Sequence, residues 1–475
     1  MRKKVVSTIL AVATMAALAG CGSSNASETA TNTESASSAT AATVKSQSVE
    51  KVEANTISEA VPSGRDANTT INLDDTEAST GNTVTIWTWD YDNTLKMADA
   101  FNAVYPNIKI EVVNVAYSDY YTKIQQAVAS GSELPDIVAQ SCTLLKNYGD
   151  LGIFEDLSKA PYNVDSNAFF DYIKDRAIMD DGTLIGVEES VNPSGIAYKR
   201  DLAKKYFGTD DPDELSQMFT SLDDFITHGE EVQEKSGGED YMFHSPGAVA
   251  EMLYFMNATQ LESNDTIHFS DKMSSVLEYL TKFRDNKIMD TFQNGTPQAN
   301  ATYADDHHIF YPCPNWVINY YIKPNDPDGS GNWGIMTPPG GGYSCGGTSL
   351  GITNTSDAKE DAFKFIHWCL MTKDGAEMMK DQLNFFVPIK SVYEDPDFLG
   401  GGDEFFGGQN INDFFYNKLA PSIKTLSVSR YDQTVIDIRD LLATAISDDP
   451  SLTAEDALNQ GLEEAQSKIT DMTVE

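Results

Sequence analysis

Basic residues are scarce in this chain: 33 Lys and Arg stand against 72 Asp and Glu, a formal net charge of −39 over 475 residues. That balance argues against nucleic acid as a partner, because a polyanion needs a basic face to displace its counterions. It argues equally against docking on an anionic membrane surface. Cysteine is rare, with five residues, so the chain is not a disulfide scaffold. No aromatic residue occurs before Trp87, which places the first eighty-odd residues outside the globular body. Signatures of reactive chemistry are also missing. There is no His-Glu-x-x-His and no Gly-x-Ser-x-Gly elbow, and Gly340-Gly341-Gly342 lacks the Lys-Ser/Thr of a phosphate loop. His307 and His308 are adjacent, so their side chains point apart and make a poor zinc pair. Asp326-Pro327-Asp328-Gly329-Ser330-Gly331 opens like a calcium loop but has Thr337 at its twelfth position, so a surface turn is expected. No metal and no cofactor are expected.

What is present begins with an address. Arg2, Lys3 and Lys4 precede an apolar run from Val5 to Leu18, which is too short to span a bilayer and reads as a secretory signal. It ends Leu18-Ala19-Gly20-Cys21, which resembles the lipobox of bacterial lipoproteins. That resemblance implies cleavage after residue 20 and lipidation of Cys21, holding the chain at the outer face of the cytoplasmic membrane. Residues 21–82, rich in Ser, Thr, Ala and Asn, read as a flexible linker, with an O-glycosylated stalk as the alternative. A coil of that length reaches about 40–45 Å.

The body carries 41 % hydrophobic and 10 % aromatic residues, enough for a sizeable core. Val84-Thr85-Ile86-Trp87-Thr88-Trp89 alternates as a strand. The apolar spacing from Leu95 to Tyr105 predicts a helix ended by Pro106. Ile108 to Val115 predicts a second strand, Asp119 to Ser130 a helix closed by Gly131, and Pro135-Asp136-Ile137-Val138 a third strand. This alternation predicts an α/β fold with a parallel sheet covered by helices on both faces. Ligands gather at the carboxyl ends of such strands, which points to Trp89-Asp90-Tyr91, Tyr117 and Gln140-Ser141-Cys142.

The chain resembles the family-1 extracellular solute-binding proteins, the receptor components of ABC importers, most often for carbohydrates. The resemblance rests on Val84–Trp89, Tyr105-Pro106-Asn107-Ile108-Lys109-Ile110 and Ala129–Val138. It continues through Leu151–Leu157, Asp181–Val187, Ile196–Leu202, Gly346–Ile352, Ala362–Ile366 and Val387-Pro388. It implies a two-lobe periplasmic-binding-protein-like fold with a ligand cleft between the lobes. Lining up the motifs gives lobe one as 83–188 plus 350–387 and lobe two as 194–344 plus 390–475. Hinge crossings fall at 188–194, 344–349 and 387–390. A ligand touching both lobes stabilises the closed form, which a permease then distinguishes from the empty one.

A sugar ring offers C–H faces to aromatic side chains and hydroxyls to polar ones. The candidate binding residues are therefore Trp89, Asp90, Tyr91, Tyr117, Ser141, Glu189, Asn192, Trp316, Trp333 and Tyr343, while Trp87 and Trp368 sit mid-element and read as core. The expected function is a monomeric, lipid-anchored receptor that binds an oligosaccharide and delivers it to permease subunits served by a cytoplasmic ATPase. Two alternatives stand beside it: a receptor for a polyamine or peptide, and a surface glycoside-active enzyme using paired carboxylates. Cys142, Cys313, Cys345 and Cys369 read as buried thiols, with a Cys313–Cys345 pairing left open.

Overall fold

The alternation at Val84–Thr88 does what a period of two requires. In the strand Thr83–Thr88, Val84, Ile86 and Thr88 are buried and the residues between them are half-buried. The computed structural model describes residues 42–43 and 71–475. Cys21, the signal segment and most of the expected linker lie outside the described residues. Among the described residues, no helix is long and apolar enough to cross a membrane.

The first sheet assembles from β1 (Ala42–Thr43), β2 (Thr83–Thr88), α1 (Tyr91–Val104), β3 (Lys109–Asn114), α2 (Tyr117–Ser130), β4 (Ile137–Ser141) and β5 (Val187–Glu188). Helix α1 buries Thr94, Met97, Ala98 and Phe101 on one stripe. Helix α2 ends at Gly131, whose φ of +66° and N–H bonds to Ala127 and Val128 close the last turn. The second sheet follows: β6 (Pro193–Lys199), β7 (Tyr241–Phe243), β10 (His308–Pro314), β11 (Trp333–Met336) and β12 (Tyr343–Ser344). Between β7 and β10 a small hairpin, β8 (Glu262–Ser263) with β9 (Thr266–Ile267), stands apart. The chain then returns to the first sheet as β13 (Thr348–Ile352). It passes between the sheets from Glu188 to Pro193 and from Ser344 to Thr348.

The first sheet is not wholly parallel, as the strand–helix alternation had suggested. Its order is β1-β3-β2-β4-β13-β5; β2 is parallel to β3 and β4, while β13 is antiparallel to both β4 and β5. The reason is the return path. β13 arrives directly from the second sheet without a crossover helix, so it runs against β4.

Every residue of β6 and β10 is buried, as befits central strands covered on both faces. One face, with Ala197, Tyr311, Trp333 and Ile335, shares a core with the first sheet and with the Phe385–Ala420 stretch. The other, with Ile196, Tyr198, Phe310 and Met336, packs in a second core. That core is supplied by the helices α3 (Arg200–Phe207), α4 (Leu222–Ser236), α5 (Pro246–Met256) and α6 (Phe269–Asp285). After α7 (Lys359–Met371) in the first lobe, α8 (Asp432–Asp448) and α9 (Ala454–Lys468) complete it.

The linker was expected to run to residue 82, but its end is structured. Ile71, Leu73 and Ala78 pack on the first core, and Tyr105 donates its hydroxyl to the Leu73 carbonyl at 2.6 Å. The cause is a buried ion-pair site on α7. Asp361, fully buried, accepts N–H bonds from Ser79 and Thr80, and buried Lys364 donates to the Glu77 carbonyl at 3.0 Å. Composition hid these contacts because they are made by backbone groups. The four cysteines Cys142, Cys313, Cys345 and Cys369 are free and buried, so Cys313 and Cys345 are not paired.

Candidate functional site

Three parallel strands end at the same edge. β2 leads to Trp89 and Asp90, β3 to Tyr117 at the start of α2, and β4 ends on Ser141. Trp89 is held edge-on between Tyr117 and Tyr120, with centroids 5.2 and 4.8 Å apart. Tyr117 and Ser141 share a hydrogen bond of 3.2 Å, and Ser141 contacts Thr143 at 3.1 Å. Facing this wall, β10 runs into Asn315 and Trp316. Buried Asn315 bonds to Val191 and Tyr416, and Trp316 donates its indole N–H to the Cys345 carbonyl at 3.1 Å.

Between the walls lies a cleft of about 790 Å³. Seven of the ten sequence candidates line it: Trp89, Asp90, Tyr117, Ser141, Glu189, Asn192 and Trp316. Three do not. Tyr91 opens α1 and packs, half-buried, against the first core. Trp333 is not in a loop but in β11, fully buried, with its indole N–H on Asp326 at 2.8 Å. The Asp326–Gly331 turn thus serves to cap a core tryptophan. Tyr343 is buried in β12 with its hydroxyl on the Gly195 carbonyl, and it faces a smaller cavity of about 200 Å³. That cavity adjoins the cleft through Cys142, Thr143, Phe255, Gly346 and Ile436.

The structure adds residues that sequence reasoning did not reach: Thr143, Glu251, Phe255, Tyr320, Tyr321, Gln433, Arg439 and Asp440. Tyr320 lies one helical turn beyond Trp316, a spacing that could have disclosed it. Gln433, Arg439 and Asp440 sit on α8, brought in by packing on α5, and no local signal marks them. The two walls touch directly. Tyr320 donates to Asp90 at 3.0 Å, Thr143 donates to Gln433 at 2.7 Å, and Arg430 makes two bonds to Asp150 at 3.0 and 3.1 Å.

At the floor, Arg176 ties the two inter-sheet crossings together. It pairs with Glu188 at 2.9 Å and donates to Ser344 at 3.1 Å and to the Gly346 carbonyl at 3.4 Å. Gly347 lets the return strand pass this pair: its φ is +138°, and a Cβ there would meet Glu188 Oε1 at 2.4 Å. Glu189, the next residue, turns into the cleft. It is 5 % exposed, and burial followed by the charge of Asp90 pushes its carboxyl up to about 8. Glu251 is likewise pushed up, chiefly by burial. Arg439 bonds its own neighbour Asp440 and lies 5.3 Å over the Tyr254 ring.

Two sheets, paired crossings and a polar, aromatic cleft between them define a two-lobe solute-binding protein of the kind found outside the bacterial cytoplasm. The chain belongs to the bacterial extracellular solute-binding protein family, whose model matches residues 96–399. It is accordingly a binding protein and not an enzyme. The lactose-binding protein of Rhizobium radiobacter is 23 % identical over 368 residues, covering 69 % of this chain and 80 % of that protein. The crystal structure of an extracellular solute-binding protein of family 1 matches with a TM-score of 0.72 at 19 % identity, covering 81 % of this chain and 99 % of that one. The GacH receptor of Streptomyces glaucescens, solved unliganded and with acarbose, matches with a TM-score of 0.66 at 16 % identity, covering 83 % of this chain and 100 % of that one.

Proposed function

We propose that this chain is the carbohydrate receptor of an ABC importer, anchored by lipid on Cys21, binding an oligosaccharide in the cleft and delivering it to the permease. The observation that carries the reading is the facing of Trp89 and Tyr117 on one wall by Trp316 and Tyr320 on the other, with Asp90, Ser141, Glu189 and Asn192 between them. Aromatic faces take the C–H sides of pyranose rings, and the carboxyl, hydroxyl and amide groups take the ring hydroxyls. A relative named for lactose and a structural neighbour solved with acarbose support the same class of ligand. The crossings at 188–194, 344–349 and 387–390 serve as the hinge between lobes 83–188 plus 350–387 and 194–344 plus 390–475. Closure on a ligand that touches both walls produces the form the permease recognises.

The test is a thermal-shift screen of mono- to tetrasaccharides. A ligand at 100 times its dissociation constant adds about 2.7 kcal/mol of stability. A sugar that raises the melting temperature of the wild type, but not of Trp89→Ala, supports the reading; no shift with any sugar contradicts it. Fractionation tests the anchor: Cys21→Ser is expected to leave the membrane fraction or remain unprocessed.

A further inference from the structure

The charged residues lining the cleft are four acids, Asp90, Glu189, Glu251 and Asp440, and one base, Arg439. The base is partly engaged: its Nε and Nη2 both bond Asp440 Oδ1 at 2.9 and 2.8 Å, while its Nη1 has no partner among the described residues. Asp90 is served by neutral donors only, Asn93 and Tyr320. Glu189 is the outlier. Although 95 % of its surface is covered, its carboxyl has no hydrogen-bond or ion-pair partner among the described residues. The titratable groups that feel its charge are Asp90, Tyr320, Tyr120 and Cys369, and none of them is a cation. Glu188 beside it shows what this fold does with a carboxylate that serves structure: it supplies an arginine.

A carboxyl turned into a cleft without a protein partner is free to meet a ligand, and once a ligand encloses it the ligand must satisfy it or stability is lost. Each neutral hydroxyl supplies a single donor. A protonated amine supplies up to three donors and a full positive charge, so its binding favours the ionised form of Glu189 against the burial and the Asp90 charge that otherwise keep it protonated. We infer that the pocket floored by Glu189 and Asp90 takes a protonated amine, so that the preferred ligand is an amino sugar with a free, basic nitrogen. This rests on the carbohydrate reading of the cleft. Trp89 and Tyr117 receive the ring, and the amine sits at the carboxyl end of β2.

The experiment is calorimetric titration of the full mature chain with glucosamine, galactosamine and the β-1,4-linked glucosamine disaccharide. Each is run against its N-acetylated and its hydroxyl counterpart, with spermidine as a separate arm. The amine form of at least one sugar is expected to bind roughly 10-fold or more tighter than both counterparts. Glu189→Gln, which keeps the shape and cannot ionise against an amine, is expected to erase that preference while the protein melts at least as high as wild type; Asp90→Asn is expected to reduce it. Equal binding of amine and neutral forms overturns the inference and leaves the carbohydrate reading standing. Persistence of the preference in a folded Glu189→Gln also overturns it, as does the absence of binding by every amine. Spermidine binding without any sugar binding upholds the amine site and overturns the carbohydrate reading.

Discussion

Glu188 and Glu189 are consecutive, both 5 % exposed, and treated in opposite ways. The strand β5 ends on Glu188 and the chain bends at Glu189, so the two side chains leave in different directions. One therefore faces the crossings, where Arg176 neutralises it, and the other faces the cleft, where no cation among the described residues pairs with it. The difference separates the two jobs done within one residue's step. The first carboxylate ties the crossings together, and the second, on the proposed reading, meets what comes between the lobes. Burial and charge alone do not tell the two apart; the partner does.

Breaking the structural side should cost most. Arg176→Ala leaves Glu188 buried and uncompensated, and should lower unfolding free energy by about 3–5 kcal/mol in denaturant melts. A double replacement, Arg176→Met with Glu188→Leu, should recover much of that loss, because no charge then remains to be desolvated. Trp333 and Trp316 extend the same contrast. Trp333→Ala should cost about 3–5 kcal/mol of stability and leave the affinity of the folded fraction unchanged, since its ring is enclosed and its N–H satisfied by Asp326.

A smaller effect is expected where the chain joins the body. Beginning the protein at Thr83 removes the N–H donors of Ser79 and Thr80 from Asp361 and the Glu77 carbonyl from Lys364. Two charged groups are left buried without these bonds, and stability should fall by about 1–3 kcal/mol relative to a chain beginning at Ile71. Equal melting of the two chains would show that the stretch merely rests on the surface.

The effect on Glu189 depends on pH. In the folded protein its carboxyl holds a proton up to about 8, whereas the unfolded chain releases it near the ordinary value. The native state then binds more protons between these values, so this group's contribution to stability is present below about 4.5 and declines as pH rises through 8. Glu189→Gln should melt like wild type at pH 5 and above it at pH 8, by a degree or a few. A difference that shrinks as pH rises would mean that the carboxyl finds a cation.

Much of the first lobe was legible because its signals are local. The alternation at Val84–Thr88, the helical spacing before Pro106 and the glycine at 131 each act within one element. From the strand ends alone, Trp89, Asp90, Tyr117 and Ser141 could be assigned to one edge. What failed depends on contacts far apart in sequence. Trp333 sits among glycines and reads as a loop residue, yet its pairing with Lys199 makes it a strand. β13 runs against β4 because of where the chain comes from, which no pattern within its five residues records. Arg439 and Gln433 reach the cleft through the packing of α8, and the Asp361 site through backbone N–H groups that have no residue identity at all.

The central claim is that a sugar binds between Trp89 and Trp316. The direct measurement is calorimetric titration of wild type, Trp89→Ala, Trp316→Ala and Trp333→Ala with the sugar that most raises the melting temperature. Stacking and burial of one aromatic are worth about 1–3 kcal/mol, so each of the first two substitutions should weaken binding roughly 5- to 150-fold while Trp333→Ala leaves it unchanged. Unchanged affinity in both Trp89→Ala and Trp316→Ala, with the stability loss falling there instead, would contradict the account.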